Sequence, residues 1–161
     1  MIPSSRKNNA LVPDEDNVNR CLKTAIDLLA RREHSRWELH RKLRQKPHAE
    51  GVDLDALLDQ LAEANYQSDE RYAESFVRSR ILKGQGALKI HQQLVQRGAS
   101  PFLAEKAIRD AEVNWWDLAE QQRAKRFGPV LPITRDEQAK QSRFLLSRGF
   151  PAHIVSDTVR A

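Results

Sequence analysis

The chain has 161 residues, 40% of them hydrophobic, and its 27 Lys and Arg outnumber 22 Asp and Glu to give a formal net charge of +5. This composition suffices for one domain or a short array of small ones, and the positive charge favours an anionic partner. The lone cysteine, Cys21, excludes an intramolecular disulfide and fits a reducing compartment. No apolar run reaches the roughly 18 residues that cross a bilayer, and the start lacks the apolar core of a signal peptide. We therefore expect a cytoplasmic protein without membrane contact.

Residues 1–15 mix Pro, Ser, Asn and basic side chains without a period, and we expect a disordered tail there. The first helix then follows from an amphipathic stripe at i, i+3, i+4 and i+7. This stripe consists of Leu22, Ala25, Ile26 and Leu29. A second helix is predicted to begin at a capping box formed by Ser35 and Glu38 and to end before Pro47.

A third helix is predicted from about Asp53, with four leucines facing inward. These are Leu54, Leu57, Leu58 and Leu61. The pattern then starts again with a helix whose stripe is Tyr72, Phe76, Val77 and Ile81. This helix is predicted to end near Gly84 and the next one at Gly98, where glycine allows a left-handed cap. Ser100 followed by Pro101 marks the start of another helix.

The third copy of the pattern begins at Asn114, a favourable N-cap, and its first helix is predicted to end at Gly128. Residues 129–133 form a loop that the other copies lack. Thr134 with Glu137 predicts a capping box for the following helix. Pro151 is predicted to open a final helix.

A step of 51 residues relates the copies. It carries Leu39 and Leu43 onto Ile90 and Leu94, and it carries Leu94 onto Leu145. A fixed period of this size predicts stacked copies of one supersecondary unit. The fold class is therefore all-α, with about nine helices in three tandem three-helix repeats forming an elongated, curved array. We expect the repeats to span residues 16–66, 67–112 and 113–161.

Charge is unevenly distributed along the chain. Residues 51–70 hold six acidic side chains and no basic ones, whereas the second helices and their approaches are basic, including Arg123 in the third copy. Such residues can simply form solvated helix faces, but their recurrence favours a binding surface for a periodic partner. The predicted partner-binding residues are Arg41, Lys42, Arg44, Arg78, Arg80, Lys83, Lys89, Arg97, Arg143 and Arg148.

No catalytic, cofactor or metal site is predicted. The five histidines include no His-Glu-x-x-His pattern, and the chain has no second cysteine for a zinc site. The tandem Trp115 and Trp116 could stack on bases, although packing is the favoured interpretation, and Trp37 is also predicted to pack.

Four ordered motifs resemble the RecX family of recombination regulators. Residues 30–43 hold a basic turn, Ser, then Glu-Leu before a basic-Lys-Leu ending, and residues 66–73 hold a Tyr, an acidic turn and Arg-Tyr. Residues 83–86 read Lys-Gly-Gln-Gly, and residues 143–150 read basic-Phe-Leu followed by Arg-Gly-Phe. The resemblance runs from about residue 18 to the end. Gln67 departs from it, since a more hydrophobic residue is expected after the Tyr.

The resemblance implies a regulator in DNA repair and the SOS response. We expect a monomer, and the lack of a nucleophile–base set predicts that it is not an enzyme. RecX-like proteins bind in the groove of the RecA recombinase filament and mainly inhibit its ATP hydrolysis, strand exchange and co-protease function, and they bind single- and double-stranded DNA weakly. The alternative is a helix-turn-helix-like DNA-binding protein. Against it, Arg36 and Trp37 open one second helix whereas Ala87 and Leu88 open its copy, so the copies share no base-reading face.

Overall fold

The computed structural model describes residues 14–160. Within this range it contains nine α-helices, a 3₁₀ turn at Pro47–Ala49 and no strand, which confirms the all-α prediction. The helices are α1 Glu15–Arg31, α2 Arg36–Arg44, α3 Leu54–Glu63, α4 Asp69–Leu82, α5 Ala87–Gln96, α6 Pro101–Asp110, α7 Trp115–Phe127, α8 Arg135–Ser147 and α9 Ala152–Val159.

The tail predicted for residues 1–15 lies mostly outside the described residues. Its last two residues are ordered parts of α1: the side chain of Asp14 accepts a hydrogen bond from the backbone N–H of Asp16, and Glu15 is the first helical residue. An acidic N-cap and first turn stabilise a helix start because they compensate free N–H groups and the helix dipole.

The chain divides into two compact units, one ending at Ser68 and the other beginning at Asp69. The first unit contains α1, α2 and α3 around a single core. Its buried side chains are Cys21, Ala25, Leu39, Leu43, Leu54, Leu57, Leu58 and Leu61. The prediction that Ile26 faces this core is wrong, because its side chain is 40% exposed. The buried stripe of α1 runs through Cys21 and Ala25, and Ile26 lies about 100° further around the helix.

The second unit contains α4 to α9 and has two clusters of buried residues. One joins α4, α5 and α6 around Phe76, Ile90 and Leu94, and the other joins α7, α8 and α9 around Leu145 and Phe150. Ile81 and Trp115 pack against both clusters. These two side chains therefore connect the second and third groups of three helices through apolar contact.

Helix starts follow the predicted caps. Ser35 and Glu38 form the complete capping box of α2, with both reciprocal hydrogen bonds present. At α8 only half of the predicted box forms: Thr134 accepts from the backbone N–H of Glu137, but the Glu137 carboxylate accepts from the side chain of Gln141 instead. Local sequence thus fixes where these helices begin.

Candidate functional site

The predicted basic residues all lie at or near the surface. Arg41, Arg44, Arg78, Lys83 and Arg143 are exposed, and Lys42, Arg80, Lys89, Arg97 and Arg148 are half-buried. Leaving Arg97 aside, none of them forms an ion pair with a carboxylate of residues 14–160. Other cations are paired, for example Arg36 with Asp59 at 2.7 Å and Lys106 with Glu70 at 3.1 Å. The candidate site therefore keeps its charge available for a partner.

In the second unit, two turns meet by direct backbone contact. The N–H groups of Gly86 and Leu88 donate to the carbonyl oxygens of Arg148 and Gly149 at 2.7 and 3.0 Å. These carbonyls replace the side-chain cap that α5 lacks at Gly86. A Cβ on Gly86 would lie 2.4 Å from the carbonyl carbon of Gly149, and a Cβ on Gly149 would lie 2.2 Å from the Cβ of Lys89. The contact therefore requires both glycines.

The side chains of Lys89 and Arg148 and the backbone of Lys83 meet at this contact. The ammonium group of Lys89 donates to the carbonyl oxygen of Ser147 at 3.4 Å, and the guanidinium group of Arg148 donates to the carbonyl oxygen of Lys83 at 3.5 Å. The Arg148 guanidinium also lies 5.2 Å from the ring centroid of Phe144. Fixed cations without a neighbouring counterion can bind phosphate or carboxylate groups.

Arg80 and Arg97 have packing contacts as well as charge. Their guanidinium groups lie 4.6 and 5.2 Å from the ring centroid of Phe76, which is only 7% exposed. Cation–π contacts of this kind stabilise the side-chain positions. Arg78, by contrast, is exposed and lines a groove of about 580 Å³ between α4 and α6. Replacing Arg78 thus tests binding with less risk to the fold than replacing Arg80.

Lys42 has a defined partner in the first unit. Its ammonium group lies 3.0 Å from Nε2 of buried His34, and Nδ1 of His34 lies 3.0 Å from the carbonyl oxygen of Arg32. Burial lowers the pKa of His34, and the positive charges of Arg32 and Lys42 lower it further. A neutral ring with its proton on Nδ1 satisfies both contacts. Gln67 closes the same turn by donating to the carbonyl oxygen of His34 at 3.3 Å, which explains a polar residue at this position.

The predicted packing role of Trp37 is wrong, since 45% of its surface is exposed. The guanidinium group of Arg41, one turn along α2, lies 5.2 Å from the centroid of its ring. Packing, the favoured interpretation of the tandem tryptophans, is confirmed for Trp115 but not for Trp116. Trp115 packs against the core, whereas Trp116 is 46% exposed and donates to the carboxylate of Asp157 at 3.0 Å.

Comparison with known proteins identifies the family. Sequence models of the first, second and third RecX three-helix domains match residues 21–52, 68–108 and 112–159. The chain belongs to the RecX family. The regulatory protein RecX of Halorhodospira halophila is 44% identical over 137 residues, covering 85% of this chain and 82% of that protein. The protein of the same name from Pseudomonas fluorescens strain SBW25 is 43% identical over 134 residues, covering 83% and 86%.

The fold agrees with solved RecX structures. The crystal structure of RecX from Lactobacillus salivarius superposes with a TM-score of 0.76 at 22% identity, covering 91% of this chain and 96% of that one. In this RecX-family chain the second and third matched segments fall on α4 to α6 and α7 to α9, and the first covers most of α1 and all of α2. None of the helices in residues 14–160 is long and apolar enough to cross a bilayer, and no group of His, Cys, Asp or Glu in that range could hold a metal ion.

Arg123 is not part of the basic surface of this RecX-family chain, which corrects the sequence interpretation. Its side chain is fully buried, and Glu120 accepts from it at 2.7 and 2.9 Å. Its other acceptors are the carbonyl oxygens of Gly128, Pro129 and Val130 and the side-chain oxygen of Gln141. Arg123 therefore holds the loop at residues 129–133 in place. The spacing could have revealed this, because buried Ala119 and Arg123 lie 46 residues after buried Ala73 and Val77.

Proposed function

We propose that this chain is a non-enzymatic regulator that binds the RecA–DNA filament and mainly inhibits it, lowering ATP hydrolysis, strand exchange and co-protease activity. The family membership supports this proposal, as do curated relatives named regulatory protein RecX. In this role the protein acts in DNA repair and the SOS response, as a cytoplasmic monomer with weak affinity for free single- and double-stranded DNA.

The observation that carries the proposal is the set of unpaired cations at the contact between the two turns. The side chains of Lys89 and Arg148 are held there by hydrogen bonds to backbone carbonyl oxygens, one of which belongs to exposed Lys83, and none of the three has an ion-pair partner among the described residues. A partner with phosphates or acidic side chains gains charge-assisted hydrogen bonds without first breaking internal ion pairs. A filament repeats its acidic and phosphate groups at regular intervals, so it presents such groups to several helices of one chain at once.

The direct test measures ATP hydrolysis by RecA on single-stranded DNA with stoichiometric amounts of this protein. We expect the wild-type chain to inhibit and the double variant Lys83→Glu, Arg143→Glu to inhibit much less, because both exposed cations become repulsive. The matched control is Lys23→Glu, Arg135→Glu, which changes two exposed cations outside the candidate set by the same net charge. Absence of inhibition by the wild-type chain would refute the proposed function. Equal loss in both double variants would remove Lys83 and Arg143 from the site.

A further inference from the structure

One face of α2 combines an exposed tryptophan with two arginines. Trp37, Arg41 and Arg44 lie at i, i+4 and i+7, so they share one side of the helix, and all three are exposed. The guanidinium group of Arg41 lies 5.2 Å from the indole centroid, yet 45% of Trp37 remains exposed to solvent. Neither arginine forms an ion pair with a carboxylate of residues 14–160.

The repeat shows that this face is not needed for the core of the three-helix domain. The step of 51 residues carries Trp37, Arg41 and Arg44 onto Leu88, Gln92 and Val95 of α5, and these three are exposed as well. A second step reaches Ala139, Arg143 and Leu146 of α8, again exposed. The stripe therefore faces solvent in each copy, and its side chains differ freely from one copy to the next. Packing within the domain does not explain a tryptophan at this position.

We propose that Trp37, Arg41 and Arg44 form a binding site for single-stranded nucleic acid, in which a base stacks on the indole and the guanidinium groups bind adjacent phosphates. An exposed aromatic ring beside unpaired cations suits a ligand that has both a free π-face and a negative backbone. A duplex offers the same phosphates but keeps its bases stacked inside. An acidic protein surface offers carboxylates but does not require the indole. The proposal rests on the proposed function, because it assigns the nucleic-acid side of a filament contact.

The test uses the full chain and a fluorescently labelled oligothymidylate, with binding followed by anisotropy at low salt. The variant Trp37→Leu places in α2 the side chain that α5 has at Leu88, and we expect it to bind about five- to 150-fold more weakly, the range for loss of one stacked base. Trp37→Phe keeps a ring and should recover most of the affinity. Leu88→Ala is the matched control and should bind like the wild type. Circular dichroism verifies that each variant keeps its helix content.

Two further measurements separate stacking from charge. An otherwise identical oligonucleotide with abasic sites should bind the wild-type chain as weakly as oligothymidylate binds Trp37→Leu, and duplex DNA should not distinguish Trp37→Leu from the wild type. Arg41→Gln, which copies Gln92, should reduce the slope of log K against log salt by about 0.7, the value for one phosphate contact on a single strand. Trp37→Leu should leave that slope unchanged.

The proposal is overturned if the wild-type chain does not bind oligothymidylate at low salt, or if Trp37→Leu binds it as tightly as the wild type. It is also overturned if Trp37→Leu loses as much affinity for abasic DNA and for duplex DNA as it loses for oligothymidylate. These results do not depend on RecA, so they are distinguishable from failure of the proposed function. If Trp37→Leu binds DNA normally but no longer inhibits RecA, the face contacts protein, and the nucleic-acid site is excluded.

Discussion

Several buried polar side chains in this chain hold turns in place. His34, Gln67 and Arg123 are each at most 5% exposed, and each contacts a backbone carbonyl oxygen of a turn or loop. A buried polar group costs free energy unless it is hydrogen-bonded. The structure satisfies this condition by placing such groups where turns leave unpaired carbonyls. Charge in the sequence is therefore an incomplete guide to the binding surface.

Protonation of His34 should destabilise the protein at acidic pH. Burial lowers the pKa of His34 in the folded chain below its ordinary value of 6.5, and a second proton on the ring would also face the Lys42 ammonium. The unfolded chain therefore takes up the proton first as pH falls. The free energy of unfolding therefore keeps its full value above the ordinary pKa of histidine. It decreases as pH drops below that value toward the lowered pKa of His34 in the folded chain.

Urea unfolding at pH values above and below the ordinary pKa of histidine measures the effect. His34→Gln should lose this part of the pH dependence, since glutamine can hydrogen-bond in the turn but does not titrate in this range. His153→Gln, at an exposed position, should keep it. An unchanged pH dependence in His34→Gln would show that another group is responsible.

At the scale of helices and turns, the contact between the α4–α5 and α8–α9 turns connects two sequence motifs. The Lys-Gly-Gln-Gly run at residues 83–86 and the Arg-Gly-Phe run at residues 148–150 are far apart in the chain but share backbone hydrogen bonds. Their glycines permit the approach, and their basic residues lie beside it. The two motifs are therefore one structural feature.

Gly149→Ala should disrupt this contact. Its backbone has φ of 95°, and a methyl group would lie 2.2 Å from the Cβ of Lys89. We expect it to lower the free energy of unfolding by more than the roughly 1–2 kcal/mol of left-handed strain. Gly51→Ala is the matched control, since its φ is 74° but no atom lies within 4 Å of the new methyl group. Chemical denaturation of both variants measures the difference, and equal losses would contradict a steric role for this contact.

Much of the fold could be predicted from the sequence, because apolar periodicity and caps are local signals. The four inward leucines of α3 and the cap at Ser35 are confirmed. The exposure of Ile26 and Trp37 could not be predicted, because each is apolar and lies at or near the edge of a stripe whose width depends on neighbouring helices. Arg123 was misassigned from its charge, although its spacing from Val77 marked a core position, and the acceptors that make its burial possible, apart from Glu120, come from the following loop and α8.

For the whole molecule, acidic and basic side chains are concentrated in different parts of the chain. Acidic side chains dominate residues 51–70, and some of them are used internally, as Asp55 and Asp59 are by Arg36. The cations of the candidate site lie on or next to α2, α4, α5 and α8, and they remain largely unpaired. The net charge of +5 therefore understates the positive charge of the candidate site, because acidic residues elsewhere in the chain cancel part of it. Binding to an anionic filament should then depend on electrostatics.

Inhibition of RecA by this protein should weaken as salt concentration rises. Each cation that neutralises a phosphate releases a condensed counterion, and added salt reduces the free energy gained from that release. We expect the concentration of protein that gives half-maximal inhibition to increase steadily between low and physiological ionic strength. The increase should be smaller for Lys83→Glu, Arg143→Glu than for the wild type, whereas Lys23→Glu, Arg135→Glu should retain the wild-type dependence. Measurement of RecA binding to DNA alone at each salt concentration separates loss of the filament from loss of docking. Inhibition that stays constant with salt would show that apolar contacts, rather than the basic surface, hold the protein on the filament.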